Sequence, residues 1–533
     1  MKAKKNKRER SAQMQQVSAG LRDVLGMTHW RKEHPKATWA EIEAAVDEQI
    51  NQLRAQLIQD MVQMGETEDW SQKPEEERPR CTTCGKPLWA RGEQTRWLQT
   101  TGGEAVKLTR TYGACPQCGG GFFPLDEELG LLSGGMTPRG EETLVRLASW
   151  MPYAPAQELL QDLLGIQVSK ATARRATLAT GQAALAVWEE EVERLKQEAP
   201  QAPAGAGGTN KQAMSGDGAF VHLVGGEWVE VKTLTIGEIT RNKRGEVCMQ
   251  QISSFSRLAE AACFAEAALV ETHRRGLERV AEVCAVQDGA EWLQGLVDYH
   301  RADALRILDF AHAASAVNDI GEAVRAAGGR LPATWLEGVL HRLKHQGPQR
   351  VLTHLARLTA RYPSPLAQEK LSYLQKREAH LQYPTYQAAG WPIGSGSVES
   401  ANKVVVEARL KGAGMRWGRQ NVNPMLVLRN AVCNRQWHET WATSVAHRQA
   451  LRTSRRQADS QQRLASAFWF LVFWGVRVSR LSHSPVPVST SPTAEALAEQ
   501  PVRRPGAGYS WRKPFLRRPP STPAVPAEAC AKK

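Results

Sequence analysis

Two pairs of cysteines, Cys81-Thr82-Thr83-Cys84 and Cys115-Pro116-Gln117-Cys118, each followed at once by a glycine, constrain this chain more than any other feature. A CxxC turn offers two thiolates to one point, and the glycine after it permits the tight turn that aims backbone amides at sulfur. Two such knuckles complete a tetrahedral set, so Cys81, Cys84, Cys115 and Cys118 are the expected ligands of a structural zinc ion. A redox CxxC would not account for two copies. Between the knuckles, residues 95–99 and 106–112 alternate like strands, which predicts a zinc ribbon over 79–130. The other five of the nine cysteines are scattered, a usage that fits a reducing compartment better than a disulfide framework.

Upstream, Thr38-Trp39-Ala40-Glu41 reads as a capping box, and Trp39, Ile42, Val46, Ile50, Leu53, Leu57 and Met61 recur at three- and four-residue steps. The segment 1–78 is therefore a basic tail followed by one long amphipathic helix, whose stripe packs within its own domain or pairs with a second subunit. Residues 131–199 are predicted to be helical. Within them, a short amphipathic helix from Ala156 ends at Gly165, and Ser169 caps a second helix that exposes Lys170, Thr172, Arg174 and Arg175. Two helices across a short turn fit a helix-turn-helix, with Lys170, Arg174 and Arg175 on DNA phosphates; an ordinary helical hairpin is the duller alternative.

After a Pro-, Ala- and Gly-rich linker at 200–210, the period changes to that of strands. Residues 214–224, 227–236 and 246–255 read as three successive antiparallel strands, with Gly225-Gly226 as the first turn. An alanine-rich helix over 257–275, a buried strand over 280–287, a helix over 291–300 and a short strand over 305–308 follow. The order β-β-β-α-β-α-β predicts an α/β, RNase H-like domain over 213–445, with an inserted helical subdomain at about 315–387, since that stretch is too long for a plain connection. Trp335 in the insertion reads as a core residue ahead of a base-stacking one.

In that layout Asp217 lies in the first strand and Asp288 at the tip of the fourth, on neighbouring strands. The glycine-rich run Gly394-Ser395-Gly396-Ser397-Val398-Glu399 leads into a helix and offers a third carboxylate in its first turn. Crowded carboxylates need divalent cations, and hard oxygen ligands select Mg²⁺ or Mn²⁺; two such ions would serve phosphoryl transfer with Asp217, Asp288 and Glu399 as ligands. Singly, each acid also reads as a turn residue or a favourable helix N-terminal charge. Asp309 and His312 are expected beside the site or as an alternative ligand pair, one strand farther from Asp217. Beyond the glutamate, Arg409, Lys411, Arg416, Trp417 and Arg419 make a basic, aromatic-bearing stretch expected to follow DNA phosphates.

Lys plus Arg number 69 against 55 Asp plus Glu, a net charge of +14 that favours a polyanionic partner. Much of the excess lies at the two ends. The basic N-terminus has no apolar run behind it, and the longest apolar stretch, 467–476, is far short of the roughly 20 residues a spanning helix needs. A soluble, cytoplasmic, nucleoid-associated protein without a membrane partner is therefore expected. Residues 446–533 read as a variable basic extension, largely disordered.

In combination, the twin CxxC, Gly-Phe-Phe-Pro-Leu-Asp at 121–126, Asp217-Gly218, Asp288-Gly289-Ala290-Glu291-Trp292, Leu308-Asp309-Phe310-Ala311-His312, the run 394–400, Ala408-Arg409-Leu410-Lys411 and Gly414-Met415-Arg416-Trp417 resemble the ISKra-type insertion-sequence transposases, relatives of the Mutator-like group. The match covers roughly residues 20 to 440. The resemblance implies a DDE transposase that nicks element ends and joins the freed 3′-hydroxyl to target DNA with Mg²⁺, as a homo-oligomer on double-stranded DNA. It implies Asp217, Asp288 and Glu399 as the triad. Ala311 stands where many members carry a larger residue. Two other readings are a non-catalytic DNA-binding regulator derived from a transposase and a structure-selective nuclease of the same fold; the presence of all three acids argues against the first.

Overall fold

A computed structural model describes residues 20–21, 25–203 and 210–474, with side chains as far as 466. The basic tail ahead of residue 20 and everything after residue 474, including most of the expected disordered extension, lie outside the described residues. The chain divides into two compact units, Met1–Arg463 and Leu464–Lys533; of the second, only the continuation of the last helix to Trp474 is described.

The long helix is present at Trp39–Gln63, and its capping box is complete, with Thr38 and Glu41 exchanging hydrogen bonds. It lies along the ribbon, a sheet in the order β1 (Trp89–Gln99), β2 (Ala105–Ala114) and β3 (Gly121–Phe122). Gln59 and Gln63 of the helix accept from the Lys107 and Thr109 amides of β2, which covers a strand edge that pairs with β3 only at its end. The opposite helix face leaves Val46, Ile50, Leu57 and Met61 exposed.

Next come helices Pro138–Trp150, Tyr153–Leu164 and Lys170–Glu198. Gly165 takes the left-handed conformation that ends the second, and the Ser169 hydroxyl caps the third through the Thr172 amide. That third helix is 29 residues long, and its later turns pack on the Arg419–Cys433 helix, where Gly181 allows close approach to Pro424.

The larger sheet has five strands in the order β6 (Val247–Arg257), β5 (Trp228–Arg241), β4 (Lys211–His222), β7 (Glu282–Gln287) and β8 (Leu305–Leu308). The first three are antiparallel, and β4, β7 and β8 run parallel. This mixed sheet and the helices between its strands follow the order expected from the sequence. The predicted alanine-rich helix is broken into Ala261–Ala267 and Leu269–Arg274.

Alternation along β4 sends Met214 to one face, with Phe255, Phe264 and Leu293, and Ala213, Ala219 and Val221 to the other. That second face is covered in two places. Over β7 and β8 lie the Phe310–Ala326 helix and the helices at 335–388, in which Trp335 is buried and donates to His354 Nε2 at 3.1 Å. Over β4 and β5 lies the helical stretch 396–410.

The last helix, Trp437–Trp474, departs from expectation. Residues 446–463 continue it without a break and bond to the ribbon: Arg452 to the Leu131 carbonyl, Gln457 to that of Thr82 and Arg463 to that of Gly119. The contacts are polar, so the segment carries no apolar stripe from which docking could be read.

Candidate functional site

The parallel register sets the acids in line. Met214 pairs with Ala285, and Asp217 and Asp288 each lie three residues farther along their strands. Gln287 pairs with Leu308, and Asp288 and Asp309 are each the next residue. All three aspartates therefore sit at the same level on adjacent strands, at the carboxyl ends of β7 and β8. By alternation Asp217 shares a face with Ala213 and Ala219, and Asp288 with Cys284 and Val286, the face that the 396–410 helical stretch covers over β4 and the 310–388 helices cover over β7.

Asp217 accepts from the Gly218 amide at 2.7 Å and from Asn402 Nδ2 at 2.8 Å. Burial raises its pKa above the usual carboxylate value, and the charge of Asp288 adds to the rise, while those two hydrogen bonds and His312 work the other way. Neither Asp217 nor Asp288 has a Lys or Arg ion-pair partner among the described residues. Asp288 caps its own loop by accepting from the Ala290 amide at 2.8 Å.

That loop is stitched to the inserted helices. Tyr373 donates to the Asp288 carbonyl at 2.5 Å and Arg377 to the Gly289 carbonyl at 2.6 Å. Gly289 has φ +85°, and a Cβ there would collide with the Arg377 side chain, so only glycine suits this corner.

Asp309 is almost fully buried and caps the Phe310–Ala326 helix, accepting from the His312 amide at 3.0 Å. Its other oxygen accepts from the Ser395 amide at 2.8 Å, which anchors the glycine-rich run to the tip of β8. Burial works to raise the Asp309 pKa, but the bonds from the His312 ring and from the Ser395 and His312 amides hold it below the usual value. The His312 ring pairs with Asp309 at 2.8 Å, and that hydrogen bond, reinforced by the charges of Asp309, Asp288 and Asp217, raises the imidazole pKa.

Glu399 is exposed in the Gly396–Ala401 helix, one turn before Asn402 and so on the same side. The helix is held to the sheet by Ser397, 3.2 Å from the Thr235 hydroxyl. At Asn402–Glu407 it widens into a π turn, a deviation frequent at functional sites. The Val404 and Val405 carbonyls there are satisfied by the buried Arg429. Glu399 does not close on the two aspartates: among the described residues, the four cysteines are the one group of three or more His, Cys, Asp or Glu ligands whose donor atoms all lie within 4.8 Å of one another.

Cys81, Cys84, Cys115 and Cys118 do converge. The sulfurs of Cys81 and Cys118 are 3.5 Å apart and those of Cys84 and Cys115 are 3.3 Å apart, close to the roughly 3.8 Å edge of a tetrahedral zinc–thiolate site with 2.3 Å bonds. The two knuckles match: Gly85 and Gly119 have φ +71° and +68°, and amides of Thr83 and Cys118 point at the Cys81 and Cys115 sulfurs. Burial opposes ionisation of Cys81, yet the Cys84 and Thr83 amides bring its thiol down to about 7, whereas burial pushes Cys115 up to about 12. Four thiolates cannot ionise together without a cation, and this soft tetrahedral set fits zinc.

The basic residues divide. Lys170, Arg174, Arg175, Lys411, Arg416 and Arg419 are exposed, but Lys411 is paired with Glu407 at 2.7 Å and Arg419 with Glu227 at 2.8 Å. Arg409 and Trp417, expected on DNA, are core residues instead. Arg409 is 1% exposed, donates to the Ala148 carbonyl at 2.8 Å and lies between the rings of Tyr153 and Trp417. Trp417 donates to the Leu410 carbonyl at 3.2 Å. A planar cation stacked on two rings is satisfied without solvent, so a basic, aromatic stretch gave the same pattern as a surface track.

Sequence reasoning missed Asn402, Ser395, Tyr373 and Arg377. For Asn402 a signal existed, because a polar residue three positions after Glu399 on a helix shares its face. The others act through contacts across long sequence separations that no local pattern announces.

Among the described residues no helix is long and apolar enough to cross a membrane. No family model matches the chain, and no curated protein does. Among solved structures, the Drosophila P element transposase strand transfer complex aligns at 12% identity over 59% of this chain and 82% of that one, with a TM-score of 0.21. A TM-score so low defines no shared fold, and nothing about activity follows from it.

Proposed function

We propose that this chain is a DNA transposase with an RNase H-like catalytic domain, in which Asp217, Asp288 and Glu399 hold two Mg²⁺ or Mn²⁺ ions, and in which a zinc ribbon and a helical DNA-binding module precede that domain. The observation that carries the reading is the level placement of Asp217 and Asp288 on adjacent parallel strands, beneath a helix that bonds Asp217 through Asn402 and bears Glu399 one turn earlier. Two half-buried carboxylates without a basic ion-pair partner among the described residues, next to the Asn402 Oδ1 that likewise has no hydrogen-bond partner among them, make an oxygen-rich set suited to hard divalent cations. When bound there, such ions activate a water or 3′-hydroxyl and stabilise the leaving oxygen in phosphoryl transfer.

The protein's own residues would prepare that step. Asn402 fixes the Asp217 carboxylate, Ala290 that of Asp288, and Tyr373 and Arg377 hold the loop behind it. Asp309 ties the glycine-rich run to β8 and orients His312, whose imidazolium can meet a phosphate oxygen. Glu399, exposed one turn before Asn402, would supply the third carboxylate.

The test is strand joining by the full chain with Mg²⁺ on pre-nicked DNA ends taken from the sequence flanking its gene. Joining that is lost in Asp217→Ala, Asp288→Ala and Glu399→Ala supports the proposal. Cleavage without joining would favour the structure-selective nuclease, and binding without either reaction the DNA-binding regulator.

A further inference from the structure

The helical module and the loop after the 396–410 helical stretch, separated by more than two hundred residues, form the walls of one cavity of about 300 Å³. Lys170 and Arg174 line one wall and Arg416 and Trp417 the other, with Tyr153 and the buried Arg409 between them. No Asp or Glu is among the residues that line it. Lys170, Arg174, Arg409 and Arg416 form no ion pair among the described residues, in contrast to Lys411 and Arg419 just outside, which are neutralised by Glu407 and Glu227. Lys170, Arg174 and Arg416, three exposed cations facing a concavity with no acidic residue in its lining, repel one another unless an anion enters.

We propose that this cleft grips the sugar–phosphate backbone of the DNA duplex on which the chain acts. The inference rests on the nucleic-acid reading above and adds to it one site where two distant basic segments hold the same stretch of backbone. Lys170 and Arg174 reach from the first turn of their helix, and Arg416 from a loop fixed to the end of β4 by Trp417, whose amide donates to the His222 carbonyl at 3.0 Å and whose carbonyl accepts from Val224 at 2.9 Å. Arg409 is too deep to touch a duplex; it sets the positive floor and holds Trp417 in place. Along β4, His222 lies five residues beyond Asp217, about 17 Å at roughly 3.3 Å per residue. A duplex rises about 3.4 Å per base pair, so about five base pairs span the distance from the cleft to the acidic pair.

The test uses the full chain in EDTA, which separates binding from chemistry, and follows the anisotropy of a fluorescent duplex of about 30 base pairs across a salt series. Each lost phosphate contact lowers the slope of log K against log salt by about 0.9. Lys170→Ala/Arg174→Ala/Arg416→Ala should lower it by two to three and weaken binding at least ten-fold near 0.1 M salt, and Arg416→Glu alone should weaken it several-fold. Lys411→Ala/Arg419→Ala should change the slope by less than one. Unchanged binding in the triple variant, an equal loss in the Lys411/Arg419 pair, or binding of RNA but not duplex DNA would overturn the proposal. Intact, cleft-dependent binding with no strand joining in Mg²⁺ would reject the transposase reading and leave the cleft standing.

Discussion

Asn402 donates its side-chain amide to Asp217 Oδ2 at 2.8 Å, linking the π turn after Glu399 to the first strand of the large sheet across 185 positions of sequence. The contact sets the orientation of one carboxylate and the distance of another, since Glu399 lies one helical turn earlier.

Replacing Asn402 therefore separates positioning from charge. Asn402→Ala leaves a half-buried carboxylate oxygen without its donor and should cost about 1–3 kcal/mol of stability. Strand joining should fall with little change in DNA affinity. Asn402→Asp should destabilise the chain further in EDTA and recover part of the loss with millimolar Mg²⁺, measured as the shift in thermal midpoint. An Asn402→Asp chain as stable as wild type without Mg²⁺ would remove Asn402 from the site.

Asp217→Asn removes one of two crowded carboxylates but keeps the shape of the side chain. In EDTA its thermal midpoint should equal or exceed that of wild type, because burial and Asp288 disfavour the charge there. Mg²⁺ should stabilise wild type and not the variant, and joining should fall by about 10³-fold or more, equivalent to about 4 kcal/mol of transition-state stabilisation. Equal stabilisation of both proteins by Mg²⁺ would place the ions elsewhere.

The cysteine cluster should hold about one equivalent of zinc by elemental analysis. Cys81→Ser should lose it and open the ribbon to protease. Because Gln457 and Arg463 bond to the two knuckles, residues 446–463 should become sensitive at the same time. Protection of that helix in metal-free protein would show that it docks independently of the metal.

His300 gives a pH dependence unrelated to the candidate site. Burial depresses its pKa from 6.5 to about 4, although the bond from Nε2 to the Ala265 carbonyl at 2.9 Å works in the other direction. The unfolded chain binds a proton below about 6.5 that the folded chain refuses until about 4. Stability from this group is thus complete above pH 6.5, is lost as pH falls, and levels off below about 4, a total of about 3 kcal/mol at about 1.4 kcal/mol per pKa unit. Denaturant titrations from pH 7.5 to 4 should show this slope, reduced in His300→Gln.

Much of this arrangement is local chemistry and could be read directly. The CxxC-Gly knuckles, the Thr38–Glu41 capping box, the Gly165 and Ser169 helix ends and the strand order each depend on residues within a few positions of one another. The same alternation that identifies strands also fixes which face each side chain takes, so the shared face of Asp217 and Asp288 follows once the strands are parallel neighbours.

What tertiary structure decided are the outcomes that compare environments. Arg409 and Arg416 are the same residue type seven positions apart, yet one is stacked between two rings in the core and the other is exposed at the edge of a cleft. Residues 446–463 have no apolar stripe, yet they form a helix against the ribbon through arginine and glutamine contacts. Periodicity reports where apolar side chains must go; whether a cation is satisfied by rings, carbonyls, a carboxylate or a bound anion depends on groups brought from hundreds of residues away, and only the fold assembles those.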